Sequence, residues 1–184
     1  MQLENIKEKI LLARLKNKDK EAFIRAYDLY LNQIYRFIYF KVGDKEEAQD
    51  LTSAVFLKAW NYIQNNNLKD EKSLRALFYK IARNSVIDYY RENSSKYSLA
   101  SIENETEISD EKKNVIEEID VAIDFSLVEK KLSELKDEYR EIIILRYIEE
   151  MSVTEIAEIL NKTKGNIRIL CFRALKALQD LMEE

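Results

Sequence analysis

The chain has 184 residues, no histidine, no proline, two glycines, one cysteine and a formal net charge of −4. Without histidine there is no His general base, His–Cys pair or ordinary zinc site, and the lone Cys171 excludes an intrachain disulfide framework. No spacing among the carboxylates and lysines suggests a paired catalytic site, so neither an enzyme nor a metal or cofactor site is expected.

Leu, Ile, Ala, Glu and Lys dominate, which gives strands little support and predicts an all-α chain. No apolar run is long enough to span a bilayer, and the first residues lack a signal-peptide pattern. A cytoplasmic protein with no membrane contact is expected. The charge is unevenly spread: about +5 over residues 1–97, about −8 over 98–129 and about −1 beyond. The acidic middle conceals a basic N-terminal half.

Taken in order, Ile6, Ile10, Leu11 and Leu15 predict a short amphipathic helix that Asn17-Lys18-Asp19 interrupts. A longer apolar face follows, through Ala22, Phe23, Ala26, Tyr27, Tyr30, Ile34, Phe37 and Ile38. Gly43 stands where a left-handed C-cap is needed. Asp44 with Glu47 then reads as a capping box opening a third helix, Asp44–Gln64. Apolar residues spread widely round that helix, as on one that is central in a bundle or holds a partner. The polar loop Asn65-Asn66-Asn67-Leu68-Lys69-Asp70 ends on a candidate cap, Asp70, for a fourth helix over about Glu71–Asn93. Leu74, Leu77, Phe78, Ile81 and Val86 form its inner side. Its Arg75, Lys80, Arg83, Asn84, Tyr89, Tyr90 and Arg91 interleave cations with aromatics, which suits single-stranded nucleic acid and equally a solvated charged face.

Composition turns acidic and polar near residue 94. The expectation is a helical domain over 1–94, an acidic linker over 95–124 with a transient helix at Asn114–Ile123, and a second helical domain over 125–184. Ser126 with Glu129 offers a capping box for a helix at Leu127–Leu135. Asp137–Leu181 reads as three helices, the last two forming a helix-turn-helix. Ser152 and Glu155 make a capping box, Ile156, Ala157, Ile159 and Leu160 an inward face, Asn161 a left-handed cap, and Thr163 a cap for the last helix. Ile167 and Leu170 give that helix its buried side. Thr163, Lys164, Asn166 and Arg168, with Arg173 and Lys176 beyond, cluster on its outer side. Arg and Asn read guanine and adenine edges in the major groove, and Lys and Thr suit phosphates.

Several motifs together resemble the bacterial RNA polymerase sigma factors of the small two-domain, extracytoplasmic-function (ECF) type. They are Asp50-Leu51 with Phe56-Leu57-Lys58-Ala59-Trp60, then Ile81-Ala82-Arg83-Asn84-Ser85-Val86-Ile87-Asp88, Tyr139-Arg140-Glu141, Leu145-Arg146-Tyr147, Glu155–Leu160, Gly165–Arg168 and Arg173–Leu178. The resemblance implies a helix bearing Asp50, Leu51, Val55 and Phe56 that docks on the clamp helices of the core polymerase. It implies capture of the downstream promoter element by Asn65, Asn66, Asn67, Lys69, Arg83 and Asn84. It further implies that Thr163, Lys164, Asn166, Arg168 and Arg173 read the upstream element as duplex. Trapping an unstacked base costs a few kcal/mol, and stacking returns a comparable amount. Melting promoter DNA therefore needs no chemistry from this chain. Anti-sigma regulation is usual in the family, and no residue here identifies such a partner. The chain departs from the family at Ser53-Ala54, where a Gln-Glu pair is usual, and at Lys136, where proline is frequent. It departs also at Lys162, usually apolar, and at Leu170-Cys171-Phe172, where Arg-Leu-His is frequent. A stand-alone helix-turn-helix regulator is the rival reading, and it would bind duplex without core polymerase.

Overall fold

The computed structural model describes residues 2–65, 68, 73–100 and 125–183, the side chains of 2–7, 94–100 and 125–129 apart. Every regular element among them is helical, and together they make a single run of buried side chains. The first is α1, Gln2–Lys16. Lys18 then turns the chain at a positive φ, and the Asp19 carboxylate accepts from the Glu21 and Ala22 N–H groups to open α2, Lys20–Val42. Arg14 donates to the same carboxylate at 2.7 Å, and that hydrogen bond is the largest cause holding Asp19 below the usual carboxylate range. α2 ends at Gly43, φ 74°, whose N–H closes on the Tyr39 carbonyl. Only glycine takes that left-handed position freely.

Asp44 caps α3, Lys45–Asn65, by accepting from the Glu47 N–H at 2.9 Å. The next helix, α4, runs Leu74–Ala100. It starts later than expected because Ser73 is its capping residue, the hydroxyl accepting from the Ala76 N–H. Glu8 of α1 completes the cap by accepting from the Ser73 hydroxyl and the Arg75 N–H, each at 2.9 Å. Asp70 lies outside the described residues. At its other end α4 passes the expected linker boundary at 95 and is still helical at residue 100. The remainder of the expected linker, residues 101–124, lies outside the described residues, the Asn114–Ile123 segment with it.

α2, α3 and α4 pack through aromatic rings. Phe56 meets Tyr27 and Phe78, with ring centroids 4.7 and 5.1 Å apart, and Phe23 meets Trp60 at 4.8 Å. Such tilted pairs add to the burial of their area.

The C-terminal half begins with α5, Phe125–Glu134. Ser126 is already inside this helix and does not stand ahead of it as a cap. α6, Asp137–Ile143, runs on into a π-helical turn, Ile144–Ile148. There the Glu149 N–H reaches back five residues to the Ile144 carbonyl at 2.9 Å. Glu150 follows at φ 52°. The expected capping box is complete in α7, Val153–Ile159, where the Ser152 hydroxyl accepts from the Glu155 N–H and the Glu155 carboxylate accepts from the Ser152 N–H. Asn161 turns the chain at φ 51°, and Thr163 caps α8, Lys164–Glu183, by accepting from the Asn166 N–H. Ile156, Ala157, Ile159, Leu160 and Ile167 are buried as expected, and Leu170 half-buried.

Candidate nucleic-acid interface

The outer side of α8 is the part of the molecule best built to meet an extended anion. Thr163, Lys164, Asn166, Arg168 and Arg173 are all exposed, and Lys176 with them. Ile167 and Ala174 anchor the opposite side of the helix in the core. The turn at Asn161, φ 51°, leads into the first turn of α8. Its opening N–H groups have no intrahelical partner, which favours an anionic phosphate there. Among the described residues, Lys164, Arg168, Arg173 and Lys176 face no carboxylate, so their charge is available. All five expected reading residues are thus exposed, with Arg168 and Arg173 on the side of α8 away from the buried Ile167 and Ala174.

α3 divides differently from the expectation. Asp50 is exposed and Leu51 half-buried, but Val55 and Phe56 are buried inside the aromatic packing of α2, α3 and α4. In this arrangement neither side chain is open to a partner, whereas the expected docking residues Asp50 and Leu51 are at least partly accessible. The outward side of α3 carries Asp50, Ser53, Leu57 and Asn61, with Leu57 63% exposed. Leu57 sits seven residues from Asp50, two turns along the same side. That spacing was available in the sequence and was obscured by the apolar residues on both flanks of the helix.

The expected single-strand surface is the least open. Asn65 and Asn84 are exposed, while Asn66, Asn67 and Lys69 lie outside the described residues. Arg83 is engaged: its Nε donates to Glu141 Oε1 of α6 at 3.0 Å, and the Glu141 carboxylate is nearly buried. Similar pairs run along the whole boundary between the two halves. Lys80 reaches Glu158 at 3.1 Å, Arg75 lies 3.8 Å from Glu155, and the buried Lys41 bonds Asp137. At their centre is Glu149, whose side chain is 0% exposed. Its two carboxylate oxygens accept from Arg36 Nε and from the Tyr79 hydroxyl, each at 2.7 Å, and its backbone carbonyl accepts from Arg75. Burial pushes the Tyr79 hydroxyl well above the usual phenol range, and the Glu149 charge adds to it. Arg36 is raised, chiefly by its hydrogen bond to Glu149. Nothing in the sequence flagged Arg36, Lys41 or Glu149, and Glu141 stood out only within the Tyr139-Arg140-Glu141 motif, because each partner is far along the chain.

A crevice of 340 Å³ lies where the halves meet, lined by Lys80, Arg83, Asn84, Glu158, Ile159, Leu160 and Asn161. Among the described residues no group of three or more Cys, Asp or Glu is placed to hold a metal ion, and no helix is long and apolar enough to cross a membrane.

Comparison with known proteins agrees with this layout. Residues 26–96 match the family model for sigma-70 region 2, and residues 126–178 match that for sigma-70 region 4. The ECF RNA polymerase sigma factor SigW of Bacillus subtilis is 30% identical over 180 residues, covering 94% of this chain and 95% of SigW. The ECF RNA polymerase sigma factor BldN of Streptomyces coelicolor is 32% identical over 178 residues, covering 95% of this chain; the chain spans 65% of BldN's length. In fold, the chain is similar to the sigma factor RpoE of Bartonella quintana, solved with the anti-sigma factor NepR, at a TM-score of 0.71 and 22% identity over 88% of this chain and 96% of RpoE. It is similar also to CnrH, solved with the cytosolic domain of CnrY, at a TM-score of 0.70 and 20% identity over 96% of this chain and 97% of CnrH. With a capped helix-turn-helix in place and both regions matched in order, the chain belongs to the ECF-type sigma factors of the sigma-70 family, non-enzymatic proteins that direct RNA polymerase to promoters.

Proposed function

We propose the following division of labour within this sigma factor. α8 reads the upstream promoter element as duplex: Arg168 and Asn166 contact base edges, while Thr163, Lys164 and Arg173 hold phosphates. The N-terminal domain, residues 1–94, docks on the clamp helices of core polymerase through Asp50 and Leu51, joined by the exposed Leu57. Asn65, Asn66, Asn67 and Lys69, with Asn84 and Arg83, capture the downstream element as single strand. For Arg83 this requires exchanging the Glu141 carboxylate for a phosphate, so the domains 1–94 and 125–184 separate when the polymerase binds. The site of action is the cytoplasm. The RpoE–NepR complex supports a partner of the anti-sigma kind for this chain too.

The observation that carries this reading is the outer side of α8, where four cations without carboxylate partners among the described residues follow a capped helix start. The test is a pull-down against purified bacterial core polymerase, followed by promoter binding by the reconstituted holoenzyme. Asp50→Ala/Leu57→Ala loses the core, and Arg168→Ala keeps the core but loses about 10- to 100-fold in promoter affinity, the worth of one base contact. Duplex binding by the free chain, with no affinity for core, would replace this reading with the stand-alone regulator.

A further inference from the structure

Two large apolar side chains stand at the centre of the reading surface. Phe172 is 72% exposed and Ile169 is 51% exposed, and both lie on α8. Gly165, Ile169, Phe172 and Lys176 follow one another at i, i+4, i+7 and i+11, a single line down the side opposite the buried Ile167 and Ala174. Arg168 and Arg173 flank that line. The residues that would face a groove most squarely are therefore hydrophobic, and the cations sit beside them.

Gly165 supplies an independent observation. It lies in the first turn of α8, where glycine fixes the helix less well than alanine. A Cβ built there meets nothing nearer than Thr163 Oγ1 at 3.9 Å, and its φ is not in the left-handed region. Neither packing nor backbone conformation inside the chain requires a glycine. A missing side chain on the outermost line is explained by a surface that comes close from outside. The unpartnered cations on both flanks state the charge of that surface: it is anionic, as a duplex backbone is.

We infer that Ile169 and Phe172 are specificity-determining residues that read thymine by its 5-methyl group, with Gly165 letting the helix approach closely enough for them to reach it. The thymine methyl is the one apolar feature on the major-groove edge of DNA, and apolar side chains contact it. From Gly165 to Phe172 α8 rises about 10 Å, which covers roughly three base-pair steps. The upstream element therefore carries one or two thymines, on either strand, beside the bases that Arg168 and Asn166 read. This rests on the assignment of α8 to the upstream element, and it goes further by naming which bases the apolar line selects.

The experiment uses holoenzyme reconstituted with bacterial core polymerase. Upstream sequences are selected from a randomised duplex, and each selected thymine is then replaced by deoxyuridine, which removes the methyl alone. The wild-type holoenzyme loses about fourfold in affinity at one or two positions, the worth of one buried methyl group. Phe172→Ala or Ile169→Ala binds thymine and deoxyuridine equally well at the matching position. Both side chains are exposed, so the variants fold, and circular dichroism with core binding verifies it. Deoxyuridine tolerated at every thymine, or discrimination that survives both substitutions, overturns the inference while leaving α8 as the reading helix. Transcription lowered equally on all promoters by Phe172→Ala, with discrimination intact, overturns it in favour of a protein contact on that side. No upstream sequence selected and no effect of Arg168→Ala would remove the parent assignment, and this inference with it.

Discussion

Arg36 Nε lies 2.7 Å from Glu149 Oε1, tying the middle of α2 to the residue that closes the π-helical turn, 113 positions further along the chain. The Tyr79 hydroxyl takes the other oxygen, so a fully buried carboxylate is satisfied wholly by the N-terminal half. Removing one member of such a set leaves charges and donors without partners. Glu149→Ala is expected to destabilise the chain by about 3 kcal/mol, and Glu149→Gln, which keeps one acceptor, by less. Urea unfolding measures both, and a loss below about 1 kcal/mol for the alanine variant would mean that Glu149 is not held as described.

Arg83 and Glu141 should be energetically coupled in the free chain. Arg83 is one-third exposed, so solvent screening reduces the pair to about 1 kcal/mol despite the burial of Glu141. A double-mutant cycle with Arg83→Ala and Glu141→Ala reads the coupling directly. Additive losses would show that the two halves do not meet at this point in solution.

The Tyr79 hydroxyl predicts an alkaline weakness. Its folded pKa is raised above the unfolded value near 10, mainly by burial and then by Glu149. The unfolded chain therefore loses this proton first as pH rises. The stabilisation is complete below about pH 10 and declines above it, by roughly 1.4 kcal/mol per pH unit for one proton. Tyr79→Phe should show a correspondingly flatter decline between pH 9.5 and 11 than the wild type. Equal slopes would exclude a buried, protonated Tyr79.

α7 has only seven residues and depends on its cap. Ser152→Ala removes the acceptor for the Glu155 N–H and the hydroxyl that bonds the Glu155 carboxylate at 2.6 Å. A loss of about 1 kcal/mol is expected, seen as a fall in Tm of about 2–4 °C. Ser152→Asp, which restores a capping oxygen, should recover most of it.

What the sequence made legible was local. Gly43, Asp44, Ser152, Asn161 and Thr163 act within four residues of their partners, so the turn chemistry of each could be read directly. The buried side of α8 was partly legible from Ile167 and Leu170, although the exposed Ile169 and Phe172 form a second apolar line that pattern alone does not separate from the first. α3 was ambiguous for the opposite reason. Packed between α2 and α4, it is apolar around more than one stripe, so the buried Phe56 and the exposed Leu57 could not be told apart by pattern. The start of α4 depends on Glu8, 65 positions before Ser73, and no neighbouring residue announces it. The pairs around Glu149, Glu141 and Lys41 share that character, since complementary charges carry no mark of which partner they will meet.

The five interdomain pairs also shape how ionic strength acts on this molecule. Arg36, Lys41, Arg75, Lys80 and Arg83 each face a carboxylate of the C-terminal half, so in the closed chain they displace no counterions from DNA. The exposed cations of α8 remain free to do so, each contributing about −0.9 to the slope of log K against log salt. The free chain is thus less salt-sensitive toward duplex DNA than it would be with those five cations released. Added salt also screens the interdomain pairs. As affinity at α8 falls, cations held in reserve become available, and the decline is shallower than that of a rigid surface of equal charge.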